Sequence, residues 1–173
     1  MAADLLVVPT VTFRLLFVLV ILAHDRRGIV QVAVTEHPTA AWTAQQLRNA
    51  FSETEAPRYL LHDRDSVFSD VATTIERMNI QEVRTTPRSP WQNACAERVI
   101  GSIRRECVDH MIVMNAAGLH RLLTEHVTYY MRSRTHLALG KDTPITRPVA
   151  PPSAGPIAIP EVGLHYRYDR VAA

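Results

Sequence analysis

Lysine is almost missing from this chain. Lys141 is the only one, so 18 of the 19 basic residues are arginine. Arginine offers a planar fork of donors that suits phosphate, although a GC-rich coding bias accounts for most of such a preference. A net charge of +2 does not by itself announce a nucleic-acid partner. Cysteine is scarce as well: Cys95 and Cys107 are the only two. They fall on one expected helix, about 18 Å apart along its axis, a gap that no disulfide spans. No CxxC or Cys/His cluster points to zinc, and the chain reads as cytosolic. A membrane-length apolar run is also lacking. Val11 to Ala23 is nearly all apolar but is interrupted by Arg14 and is too short to cross a bilayer. It has no basic leader or cleavage site of a signal peptide. Its Val, Ile, Leu and Phe suit a buried strand. No internal repeat is visible.

What is present fits one globular domain. The chain has 173 residues, 47% hydrophobic and 21% charged, enough for one proper core and too few for two. Three strands are expected first: Asp4 to Val8, closed by Pro9; the run from Thr12 to Ala23; and Ile29 to Thr35 after the turn His24-Asp25-Arg26-Arg27-Gly28. Together they suggest an antiparallel meander. A helix follows over Thr39 to Phe51, capped by Thr39, with Ala40, Ala44, Leu47 and Phe51 on one stripe. Arg58 to Leu61 is a short strand. Phe68, Val71, Ala72, Ile75 and Met78 mark a second helix, and Ile80 to Thr85 a fifth strand. A third helix is expected from Trp91 to about Asp109, and a fourth, capped by Asn115, with Leu119, Leu122, Leu123, Val127 and Tyr130 on its buried side. From Pro148 the density of proline predicts an extended tail over 148–173, leaving 1–147 as the domain. Such an order gives an α/β fold, a mixed sheet flanked by helices, whose strand ends present polar groups to a ligand.

Three acids stand where a core normally excludes them. Asp4 begins an apolar strand, Asp63 follows Tyr59-Leu60-Leu61, and Glu97 lies near a helix start beside its apolar stripe. Burying a carboxylate costs several kcal/mol unless it is paired or bound to metal. If the three converge, a hard divalent ion with oxygen ligands relieves their repulsion, and Mg²⁺ is the usual one beside phosphate. Two such ions about 4 Å apart activate the attacking oxygen and stabilise the leaving one in a phosphoryl displacement. Each acid also has an ordinary reading: a frayed terminal residue for Asp4, a turn or cap for Asp63, a solvated helix residue for Glu97.

The local words narrow these choices. Ser89-Pro90-Trp91-Gln92-Asn93-Ala94-Cys95-Ala96-Glu97-Arg98 resembles the stretch around the last acid in insertion-sequence transposases and retroviral-type integrases. His62-Asp63-Arg64-Asp65-Ser66-Val67-Phe68 looks like their second acidic motif. Tyr129-Tyr130, Arg134, His136, Leu139, Thr143 and Pro144 look like their closing motif, and Asp4-Leu5-Leu6 is similar to the first. Four motifs in order, from Asp4 to about Pro148, make the resemblance specific. It implies a ribonuclease H-like fold with a mixed five-stranded sheet flanked by helices. It also implies a DDE triad of Asp4, Asp63 and Glu97 as catalytic and metal-binding residues, Mg²⁺ or Mn²⁺ as cofactor, and DNA cutting and joining. Element ends and target DNA are the implied partners, engaged by a homo-oligomer, with no membrane and a cytoplasmic, nucleoid-associated location. Asp63 is preferred over Asp65 because it directly follows the strand. The chain departs from the pattern in having Asn93-Ala94 where the family has Asn-Gly and only three residues before Asp4. The first strand is therefore expected to be short at its start, and no helix-turn-helix precedes the core.

Arg98 adjoins Glu97, Arg104 follows Glu97 by about two turns, and Arg105 lies close to the same face. With Arg84 and Arg88 they are expected to form a phosphate-binding stripe, to which Asn93 is added; the alternative is a solvated face paired with Glu106. Arg134 and His136 either contact DNA or brace the end of the fourth helix, and bracing is the preferred reading. Two other functions stay open: a non-catalytic remnant that keeps the fold and binds DNA, and another nuclease of the same fold.

Overall fold

The computed structural model describes residues 1–52, 56–69, 71–147, 156–159, 161–162, 165–166 and 169–170. The first three strands are β1 (Ala2–Pro9), β2 (Leu15–Leu22) and β3 (Ile29–Thr35). They form the expected antiparallel meander, with Asp4 opposite Val20 and Val20 opposite Val32. Helix α1 (Ala40–Ala50) starts where Thr39 accepts the Trp42 N–H. Strand β4 (Tyr59–His62), helix α2 (Ala72–Arg77) and strand β5 (Gln81–Arg84) follow. Helices α3 (Ala94–Glu106) and α4 (Ala116–Arg132) come next, and Asn115 caps α4 through the Gly118 N–H. The five strands make one sheet in the order β3-β2-β1-β4-β5. β1 pairs antiparallel with β2 and parallel with β4, and β4 pairs parallel with β5.

Side-chain alternation decides what each face meets. Ala2, Leu6 and Val8 of β1, with Leu16, Val18, Val20 and Leu22 of β2, pack against Val99, Ile103, Leu119 and Leu123 of α3 and α4. Ala3, Leu19, Ile21 and Leu60 turn the other way, onto Leu47, Phe68 and Ile75 beside α1 and α2. β2 is thus buried on both faces, which is why its sequence is an unbroken apolar run. β5 forms an edge carrying Glu82 and Arg84, which discourages further pairing.

Three expectations change. Asp4 is not a frayed end: β1 begins at Ala2, and Asp4 sits within the ladder, supported at the strand start by Met1, whose ammonium donates to the Tyr59 carbonyl at 2.9 Å. The third helix is broken. A 3-10 turn over Pro90–Asn93 precedes α3 and another over Val108–His110 follows it, because Asn93 leaves helical geometry to bury its side chain and Cys107 turns the chain at φ −137°. The second is cut short in the same way, since Asp65 caps a separate turn at Ser66–Phe68. Most of the 148–173 tail lies outside the described residues. Its described parts form two short antiparallel pairs, β6 (Ile157–Ala158) with β9 (Asp169–Arg170) and β7 (Glu161–Val162) with β8 (His165–Tyr166).

Candidate active site

Strand register brings the acids together. Ala2 pairs with Leu61 on parallel neighbours, so two residues further on Asp4 stands level with Asp63, just past the end of β4. Parallel neighbours lie about 4.8 Å apart. Asp4 shares the face of Ala2 and Leu6, the face that α3 covers, and Glu97 is in the first turn of α3. Asn93 ties that helix start to β1 by donating from Nδ2 to the Ala3 carbonyl at 3.3 Å. Asp4, Asp63, Asp65, Asn93, Glu97 and Arg88 line one cleft of about 320 Å³.

The cleft is electrically strained. Burial pushes the Asp4 carboxyl up to about 7, and the charges of Asp63, Glu97 and Asp65 add to that, although Asp4 accepts the Leu5 N–H at 2.8 Å. Asp63 is held from behind. His62 is buried, stacks on Phe68 with ring centroids 4.5 Å apart, and donates from Nδ1 to the Asp63 carbonyl at 2.6 Å. Its Nε2 meets Glu82 at 2.9 Å, and Arg84 donates to the same Glu82 oxygen at 2.8 Å. Burial opposes ionisation of Glu82, but Arg84 and His62 outweigh it and hold this carboxyl below its usual range. Asp65 is occupied as a cap, accepting the Val67 N–H at 3.1 Å. Asp63 in turn accepts the Asp65 N–H at 3.1 Å.

Across the cleft, Gln92 clasps the loop after β5, accepting the Thr86 N–H at 2.6 Å and donating to the Thr86 hydroxyl at 3.0 Å. Arg88 in that loop has φ +58° and lines the cleft with no hydrogen-bond partner among the described residues. Asn93 Oδ1 is buried beside the carboxylates without a hydrogen-bond partner among the described residues.

The six basic and amide residues expected to bind phosphate are not brought to one place. Arg88 and Asn93 line the cleft. Arg104 reaches down β1 to donate to the Val7 carbonyl at 3.2 Å. Arg98 and Arg105 face a different cavity on the other side of α3. Arg84 is paired with Glu82, and Glu106 is engaged by Arg134 through two bonds of 2.7 and 2.6 Å. Arg134 and His136 therefore brace the end of α4, as expected. Sequence reasoning missed the His62–Glu82–Arg84 support and the Gln92 clasp; Gln92 was quoted in its motif without a role.

Among the described residues, no group of three His, Cys, Asp or Glu is assembled closely enough to hold one metal ion. The donors lining the cleft are nonetheless oxygens, the carboxylates of Asp4, Asp63, Asp65 and Glu97 with hydroxyls and the Asn93 amide, and no thiol or imidazole is among them. Such a set fits a hard cation.

This is the fold of an integrase catalytic core. Residues 78–144 match the integrase core domain family. One similar chain comes from the cryoEM structure of the simian T-cell lymphotropic virus intasome in complex with PP2A regulatory subunit B56 gamma. Its TM-score is 0.66 at 12% identity, covering 96% of this chain and 65% of that one. The integrase-like chain thus spans 65% of that relative's length. The HTLV-2 integrase catalytic core domain in complex with magnesium, in a trimeric form, gives a TM-score of 0.62 at 12% identity over 81% of this chain and 90% of that one. The catalytic core domain of BIV integrase gives 0.53 at 14% identity over 83% and 90%. Among curated proteins, none matches the chain.

Proposed function

We propose that the chain is the catalytic core of a DDE-type transposase or integrase, with Asp4, Asp63 and Glu97 as its triad. One observation carries this reading: the three acids share a cleft, where burial first and the neighbouring carboxylates after it push Asp4 up to about 7. A fold that keeps such repulsion needs a compensating cation. Bound Mg²⁺ or Mn²⁺ would supply a Lewis acid for the attacking and leaving oxygens of a phosphodiester. Asp4 and Asp63 would hold it from the sheet, and Glu97 from the facing helix. His62 and Glu82 keep the Asp63 backbone in place, and Gln92 keeps the Thr86–Gln92 loop closed over the cleft. Arg88 faces the same space, suited to an incoming phosphate. No covalent intermediate with the protein is required, so positioning and electrostatics carry the rate. The partners on this reading are DNA element ends and target DNA, bound by more than one copy of the chain.

The test is nicking and joining of oligonucleotides that carry the cognate element ends, with Mg²⁺ or Mn²⁺. Asp63→Asn and Glu97→Gln are expected to drop both steps to background while DNA binding persists. Wild-type-like nicking by either variant would end the triad assignment. A second reading, a non-catalytic remnant that binds DNA, is favoured by the lack of a three-acid metal group among the described residues. It predicts DNA binding with no turnover in any divalent metal.

A further inference from the structure

We propose that a basic cavity on the side of α3 away from the carboxylates binds a phosphate of a nucleic-acid strand. The cavity is about 480 Å³ and lies between α3, the C-terminal end of α4 and the turn after β2. Arg98 and Arg105 of α3, Arg27 of the turn and Arg134 at the end of α4 all line it, and no acid does. Glu106 already takes up the charge of Arg134. Arg27, Arg98 and Arg105 have no carboxylate partner among the described residues, so three cations share one hollow. Burial first and then Arg134 hold the His136 ring below its usual range, against a backbone hydrogen bond to Tyr130, and Arg27 adds a smaller push in the same direction, opposed by Glu106. Hydroxyls of Ser102, Thr135 and Tyr130 add neutral donors.

Local structure favours this use. Gly101 sits inside α3, where glycine costs about 1 kcal/mol relative to alanine. A Cβ there would lie 3.0 Å from Arg105 Nη1, so the glycine makes room for that guanidinium to lie along the helix. Arginine forks bind phosphate oxygens in pairs, and a hollow of this size takes a phosphate with part of its nucleotide.

A strand fits the hollow better than a free anion because Glu97 and Arg98 are consecutive on α3. A strand crossing the carboxylate cleft passes round a helix 10–12 Å wide and lays a backbone phosphate in the hollow about three nucleotides from the scissile one. This inference rests on the nucleic-acid reading above, but not on catalysis.

Cys95 lines the same cavity and is partly exposed, whereas Cys107 is buried and its thiol is pushed up to about 11. Modification of Cys95 by neutral iodoacetamide, followed by mass spectrometry on the full chain, therefore reports occupancy. A single-stranded oligonucleotide at ten times its Kd is expected to slow that modification about tenfold. Arg98→Gln/Arg105→Gln, both exposed sites, should remove the protection and make the slope of log K against log salt shallower by about 1.4. Oligonucleotide binding that leaves Cys95 as reactive as in the free protein overturns the proposal, and so does an unchanged salt slope in the double variant. Protection by inorganic phosphate at matched ionic strength but not by the oligonucleotide overturns the strand as occupant. Protection in a wild-type chain that nicks no DNA in any divalent metal sinks the catalytic reading and leaves the cavity standing.

Discussion

Asp4 carries the sharpest consequence at the scale of single residues. Its folded-state carboxyl titrates near 7 against an ordinary value of 3.8. Between those values the folded chain binds more protons than the unfolded one, so stability falls as pH rises. The benefit of the protonated form is complete below about 4 and gone above about 7. Without metal, the melting temperature should drop between pH 5 and pH 8, by a loss on the order of a few kcal/mol. Mg²⁺ should restore it at pH 8, and Asp4→Asn should flatten both the pH and the Mg²⁺ response. Thermal melts at several pH values check this, and a flat wild-type profile would contradict the buried, crowded carboxyl. A second residue-level test concerns Arg134, whose two bonds to Glu106 are partly buried. Arg134→Ala should cost about 2 kcal/mol in urea denaturation. Arg134→Lys should recover little of it, since a single ammonium does not reproduce the fork.

Individual elements show what local chemistry announces. The start of α1 at Thr39 and of α4 at Asn115 were readable, because each cap is a bond between a side chain and a backbone N–H three residues on. Asn115→Ala should destabilise by about 1 kcal/mol and Asn115→Gly by only a few tenths, measured by chemical denaturation; equal costs would mean the side-chain bond is not what matters. β3 was read to the residue, bounded by Gly28 and a polar turn. The break before α3 was not readable, since it depends on Asn93 reaching a carbonyl of β1, ninety residues back in the sequence. On α3, helical spacing correctly set Arg104 a whole number of turns from Glu97. It also puts Arg98 and Arg105 seven apart on a side of their own, which the expected single stripe had merged with the first. The candidate triad was legible as three misplaced acids. Their meeting depends on the pairing of Ala2 with Leu61, and a parallel register leaves no mark on either strand's own sequence.

Across the whole molecule, the ends of the domain are fastened by Arg26. From the turn after β2, it donates to Asp142 at 2.5 Å, to the Thr143 carbonyl at 2.8 Å and to the Pro144 carbonyl at 2.9 Å. It does so from a left-handed backbone, φ +46°, a conformation that costs a non-glycine residue about 1 kcal/mol. Arg26→Ala should speed amide hydrogen exchange over residues 136–145 while leaving β1 and β2 protected. Arg26→Gly should show the same local loosening with less loss of overall stability, because only the strain is relieved. Protection unchanged over that segment would show that the contacts do not hold it.

The central position of β1 has one more consequence. The meander on its antiparallel side joins neighbours in the chain, whereas its parallel partner β4 arrives only after α1 has been made. Local pairings close early and distant ones late. The carboxylates are therefore expected to face one another late in folding, so that a half-folded copy would carry the acids without the completed cleft. On the catalytic reading proposed above, DNA cleavage would therefore wait until the entire domain is complete.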